Sequence, residues 1–184
     1  MMSTPRRTFR NIVGHVEGVS DVTKLSAWVS EQFDPKLSWE DVSRIRDWWG
    51  GKFIIKGILE PEDALNALKV GADAIIVSNH GGRQLDQTSS TISMLPKIVE
   101  AVKGKSAIWL DGGIRSGQDI LKAVALGADN TLIGRAMSYG LAANGISGCE
   151  KTLNILHTEL DMTMALCGRR NVHDLNKDNI YTLK

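Results

Sequence analysis

The sequence predicts an α/β fold in which a parallel sheet carries its crossover helices, and three observations predict it. From residue 38 onward, short apolar runs alternate with amphipathic stretches of helical length, the pattern of βα units. Each of the four apolar runs ends in glycine or polar residues. One helix–turn–strand unit also occurs twice. "EDALNALKVGADAIIVS" and "QDILKAVALGADNTLIG" align without a gap, with Gly71 over Gly127 and Asp73 over Asp129.

The elements follow in order. Residues 1–37 mix short apolar pieces with Gly, Ser, Asp and Pro and read as an irregular lead-in, with one domain over 38–184. Ser38, followed by Glu40 and Asp41, is a helix N-terminus with acid in its first turn, opening "WEDVSRIRDWW", which stops at Gly50-Gly51. "KFIIKGIL" is a short buried strand. "EPEDALNALKVGA" is a helix with Pro61 in its first turn and Gly71 past its end, the favoured asymmetry. "DAIIVS" is the next strand, "SSTISMLPKIVEAVKGK" a helix with Pro96 as an irregularity, and "AIWLD" a strand. "SGQDILKAVALGA" is a helix, "NTLIG" a strand, and "GCEKTLNILHTELDMTMALCG" a long closing helix. The strands are expected near 53–57, 74–78, 107–111 and 131–134.

Composition narrows the function classes. A chain of 184 residues can build one sizeable core, and 42% hydrophobic with 23% charged residues is ordinary for a globular protein. A net charge of +1 gives no reason to expect nucleic acid as a partner. Cys149 and Cys167 make no disulfide framework and no metal-ligand spacing, so they read as reduced thiols and no metal is expected. No stretch reaches the roughly 20 apolar residues that span a bilayer. The basic start "MMSTPRRTFRNIVG" lacks a signal-peptide core. The expected location is cytoplasmic, with peripheral attachment to the inner face of the cell membrane left open.

Polar groups cluster beyond the strand ends: Lys56-Gly57, Ser78-Asn79-His80, Asp111-Gly112-Gly113 and Gly134-Arg135. Barrel enzymes and doubly wound sheets share this habit. Four βα units are half of a (β/α)8 barrel, which typically takes about 250 residues. "DGGIRSG" (111–117) and "IGRA" (133–136) put glycines and an arginine between a strand and the helix after it. There the backbone can approach a phosphate closely and helix N–H groups favour its charge. The plainer reading, two tight turns, fits either loop alone better than the pair. In "SNHGGRQLD", Arg83 can grip a carboxylate through two parallel hydrogen bonds, and His80 can exchange a proton near neutral pH. Asp86 or another carboxylate would orient the imidazole. Lys56 ends "FIIK", where an ammonium could stabilise developing negative charge; the alternative is a lysine reaching out to solvent.

"IIKGI", "SNHGGRQLD", "DGGIRSGQDILKAVALGAD" and "IGRA", in this order and spacing, resemble the C-terminal half of the FMN-dependent 2-hydroxy-acid dehydrogenase and oxidase family. The likeness is greatest to its bacterial quinone- or cytochrome-linked L-lactate dehydrogenases and runs from about residue 9 onward. It implies the C-terminal half of a (β/α)8 TIM barrel, an FMN cofactor and oxidation of an L-2-hydroxy acid, most directly L-lactate to pyruvate. It also implies quinone, cytochrome or oxygen as electron acceptor, and a homo-oligomer in the full-length form. Lys56 would stabilise the reduced flavin, and Ser78 would contact it. His80 would be the base and Arg83 the substrate-carboxylate clamp. Asp111, Gly112, Gly113, Ile114 and Arg115, with Gly134 and Arg135, would line the ribityl-phosphate site. The family's N-terminal half barrel has no counterpart here, and Tyr139 and Tyr181 both follow the motifs, so neither matches the family's substrate tyrosines. The chain is therefore expected to be a fragment or one part of a split enzyme. A flavin- or phosphate-binding half barrel without turnover, or an inactive remnant, is the alternative.

Overall fold

A computed structural model of the chain describes residues 12, 22–32 and 34–181. The basic "PRR" start lies outside them. Two compact units divide between Val42 and Ser43. In the first, helix α1 (Val22–Gln32) falls in the stretch expected to be irregular. It forms because no Gly or Pro interrupts it and because Leu25, Trp28 and Val29 recur at helical spacing. Helix α2 (Trp39–Trp49) begins as expected. The Ser38 N–H donates to Asp41 Oδ2 at 2.8 Å, and the Asp41 N–H reaches back to Ser38 Oγ at 3.4 Å.

From Ser43 onward the chain builds β1 (Ile54–Ile58), α3 (Pro61–Lys69), β2 (Ala74–Val77), α4 (Thr91–Val102), β3 (Ala107–Leu110), α5 (Gly117–Ala125), β4 (Asn130–Thr131) and α6 (Arg135–Leu166). The strands form one parallel sheet in the order β1-β2-β3-β4. A doubly wound sheet reverses its order at a switch point, and this one does not. Right-handed crossovers in an unreversed sheet put their helices on one face, which is half the wall of a (β/α)8 barrel.

Register decides which residues meet. Ile55, Ile75 and Ile108 share one row, and Ile58, Val77 and Leu110 another. Ile75, Ile108, Val77 and Leu110 are buried beneath helices that contribute Ala64, Ala67, Leu95, Ile98 and Val102. Each large side chain of this layer contributes about 1.5–3 kcal/mol. The opposite face carries Lys56, Ile76 and Trp109 in one row. The pairing slips at Gly57, so β1 has one residue more than β2 there.

The repeated Asp does the same work twice at the far end of the sheet. Asp73 accepts the Phe53 N–H at 2.9 Å while its own N–H donates to Phe53 O at 2.8 Å. Asp129 accepts the Ile108 N–H at 2.7 Å and donates to Ile108 O at 2.7 Å. Each carboxylate thus ties the start of one strand to the start of the next. Lys52 Nζ adds an ion pair to Asp73 at 2.7 Å.

Pro96 lies within α4 without ending it. The fourth strand is shorter and earlier than the 131–134 expected. It pairs with β3 alone, and after the Leu132 N–H reaches Leu110 O at 2.8 Å the chain turns into α6. That helix begins at Arg135, well before the expected closing helix, and breaks at Asn144 and Gly145. Its second half packs Leu160 and Met164 against Leu121 and Ala125 of α5.

Candidate functional site

Three strand ends converge on one lysine. Period-two alternation puts Ser78 and Asp111 on the same face as Lys56, two residues beyond its row partners Ile76 and Trp109. Lys56 Nζ donates to Ser78 Oγ at 2.9 Å and pairs with Asp111 Oδ2 at 2.9 Å. Lys56 therefore bends along the strand rim to these two partners while its side chain stays 38% exposed. Asp111 Oδ1 is buried and has no partner among the described residues. A buried carboxylate oxygen in that state awaits a donor.

The loop after β2 carries the base and the clamp. Asn79 pins it, with Oδ1 accepting the Gly81 N–H at 3.1 Å and Nδ2 donating to Ser89 O at 3.3 Å. The His80 N–H donates to Ser78 Oγ at 3.1 Å, and His80 takes the left-handed backbone conformation with φ 54°. His80 and Arg83 are exposed and line the same cavity. Asp86, offered from sequence as a partner for the imidazole, instead accepts the Gln87 N–H at 2.9 Å. Among the described residues no carboxylate forms an ion pair with the His80 ring.

The two glycine loops differ in what they leave free. After β3, four N–H groups around the start of α5 are engaged by side chains. Those of Arg115 and Ser116 donate to Asp119 Oδ2 at 3.0 Å each, that of Asp119 donates to Ser116 Oγ at 3.2 Å, and that of Gly117 donates to Glu159 Oε2 at 2.9 Å. The loop ahead of these bonds, Gly112 to Arg115, still lines the cavity. The first turn of α5 is occupied by its own Asp119 and by Glu159 of α6. The start of α6 has only Gly134 as N-cap and no side-chain cap, and Gly134, Arg135 and Ala136 line the cavity. Ahead of α5, Gly112 and Gly113 hold φ of 89° and 96° and keep the loop backbone open to the cavity.

Thr91, at the start of α4, was not marked by any pattern. Its buried hydroxyl donates to Gly112 O at 3.0 Å and pins the glycine loop. The two residues are 21 apart, and only tertiary packing brings them together.

The resulting cavity of about 700 Å³ is walled by residues 56, 80, 81, 83, 84, 111–115, 132–136 and 138. It contains Lys56, Arg83, Arg115 and Arg135 against the single carboxylate of Asp111. Every residue marked from sequence as a site residue borders it except Ser78, which lies beneath Lys56. Such a cavity attracts an anionic ligand.

The model of the FMN-dependent dehydrogenase family matches residues 2–182. The chain belongs to that family. It is 45% identical over 170 residues to an L-lactate dehydrogenase of Yersinia pestis (strain Pestoides F), covering 92% of this chain and 45% of that one. Among solved structures it is similar to (S)-mandelate dehydrogenase, described as a monotopic membrane protein, at TM-score 0.83 and 38% identity, covering 90% of this chain and 44% of the other. Mandelate oxidase matches at TM-score 0.79 and 41% identity, covering 85% and 46%. The chain thus spans about half the length of these family members. No described helix is long and apolar enough to cross a membrane.

Proposed function

We propose that this chain supplies the C-terminal half of an FMN-dependent barrel that oxidises an L-2-hydroxy acid, with L-lactate as the first acid to test and mandelate the second. One observation carries the reading. Lys56, His80 and Arg83 open onto the same cavity as a glycine loop and an uncapped helix start.

The residues present fit FMN. Asp111 Oδ1 is a buried acceptor lacking a donor, which a ribityl hydroxyl would supply. Arg115, Arg135 and the free N–H groups opening α6 would hold the phosphate. Gly112, Gly113, Ile114 and Gly134 would shape its cradle, with Lys56 and Ser78 at the ring. Bound flavin supplies an acceptor for two electrons, which pass on to a quinone, a cytochrome or oxygen. His80 accepts the proton released as the hydroxy acid is oxidised, by either carbanion or hydride transfer. Arg83 pairs with the acid's carboxylate and orients its carbinol carbon toward His80. Lys56, already bonded to Asp111, presents positive charge where negative charge develops.

A homo-oligomer in the full-length form and a cytoplasmic location, with peripheral attachment to the inner face of the cell membrane, belong to the same proposal. A second reading, a flavin- or phosphate-binding half barrel without turnover, is favoured by the exposure of His80 and Arg83 and by the absence of a described carboxylate paired with the His80 ring. Quenching of FMN fluorescence by the chain, with and without L-lactate, separates the two. The first reading expects tight binding and bleaching by L-lactate, and His80→Gln should abolish the bleaching while sparing the binding. Binding without bleaching by either acid supports the second, and no binding makes the isolated chain a fragment whose chemistry belongs to the longer protein.

A further inference from the structure

We propose that Gly57 is a positioning residue for His80, giving its imidazole a seat on the neighbouring strand that no other residue could provide. Gly57 is the extra residue of the β1 bulge and holds φ 102°. A Cβ built there would stand 2.7 Å from His80 Nε2, 3.6 Å from Cε1 and 3.7 Å from Cδ2. The ring therefore lies over the bare Cα with Nε2 nearest to it. The distance to Nε2 is one that real Cβ contacts do not show, so any side chain at 57 must displace the ring.

The opposite end of His80 is fixed as well. Its N–H is bonded to Ser78 Oγ, the same oxygen that accepts from Lys56 Nζ. A hydroxyl oxygen has two lone pairs, and both are engaged. Ser78 is fully buried and cannot swing away. His80 thus has a seat for its ring at Gly57 and an anchor for its backbone at Ser78, and the anchor shares its atom with Lys56. The bulge has a function in this arrangement. By inserting one residue after Lys56 it leaves a gap for the ring at the next position. Exposed histidines ordinarily sample several rotamers, whereas this one has one side closed by backbone.

The inference rests on His80 being the base, but its test needs neither flavin nor substrate, so the two can fail separately. Gly57→Ala carries backbone strain as well as the ring contact, and a double-mutant cycle with His80→Ala separates them. The loss in urea midpoint on Gly57→Ala should shrink to less than half when His80 is already alanine. Equal losses in both backgrounds, or failure to fold in both, would make strain the whole effect and overturn the proposal. Folding in the His80→Ala background alone would support it. The second measurement is NMR of the His80 ring, assigned by its disappearance in His80→Gln. Gly57→Ala should shift the Cε1–H and Cδ2–H signals of His80 and leave those of His157 and His173 in place. Ser78→Ala should increase exchange of the His80 amide at least tenfold. Unmoved ring signals in a folded Gly57→Ala protein would sink the seat, and unchanged amide exchange in Ser78→Ala would sink the anchor.

Discussion

Replacing Arg135 by alanine should weaken FMN far more than riboflavin, because the start of α6 borders the cavity without a side-chain cap and carries Arg135. The α5 terminus has committed the N–H groups of Arg115, Ser116, Gly117 and Asp119 to side chains, whereas α6 opens with none of its donors capped by a side chain. An arginine–phosphate contact is charge-assisted and contributes about 1.5–3 kcal/mol. Arg135 is exposed, so water screens part of that. The α6 backbone donors and Arg115 remain in the variant and compensate in part. An expected loss of about 1.5–2 kcal/mol corresponds to roughly 10- to 30-fold in Kd. Isothermal titration of both ligands into wild type and Arg135→Ala measures it, with riboflavin as the control lacking phosphate. Riboflavin affinity should stay within about twofold, well inside a loss of 1.4 kcal/mol. Equal losses for the two ligands would refute the phosphate assignment. A comparable FMN-selective loss in Ser116→Ala, whose hydroxyl caps α5, would refute the distinction between the two helix starts.

Two further outcomes concern the strand clamps. Asp129→Ala leaves the N–H of Ile108 without its acceptor, and Ile108 is 3% exposed. Urea denaturation should show a loss of about 1–3 kcal/mol, and a loss below about 0.5 kcal/mol would remove the clamp as a source of stability. The hydrogen bond from Lys52 to Asp73, then that from the Phe53 N–H, and the charges of Lys52 and Arg46 hold the Asp73 carboxyl below its ordinary 3.8, against the opposing effect of burial. A folded-state value below the unfolded one means that the contribution is complete above 3.8 and is lost as pH falls through the folded value. Thermal melts of wild type should therefore fall more steeply than those of Asp73→Asn as pH drops below 3.8. Parallel curves would show that Asp73 has no part in the acid limb.

Much of the fold was legible because it is written in local periodicity. The duplicated Gly-Ala-Asp turn placed Asp73 and Asp129 in equivalent positions, and the two carboxylates make the same bond to the preceding strand. The site residues were legible for a related reason. Parallel strands deliver their C-terminal ends to one rim, so Lys56, Ser78, Asp111 and Arg135 had to approach one another whatever the details. The helix at Val22–Gln32 was less legible, because its short apolar pattern sits among glycines and polar residues that argue for a loop.

By itself the sequence determined the order of elements from residue 38 onward, the face of the strand residues outside the bulge at Gly57 and the set of polar groups at the rim, since all three follow from spacing along the chain. Only the tertiary structure decided how those groups are used. Glu159, 42 residues away, helps to close the start of α5, and no local pattern announces it. Thr91 pins Gly112, and Asp86 turns from His80 to the amide beside it. The bulge at Gly57 brings bare backbone beneath the imidazole. Spacing along a chain sets which way a side chain faces. Which donor meets which acceptor depends on helices and strands brought together from far apart in the sequence, and only packing fixes that distance.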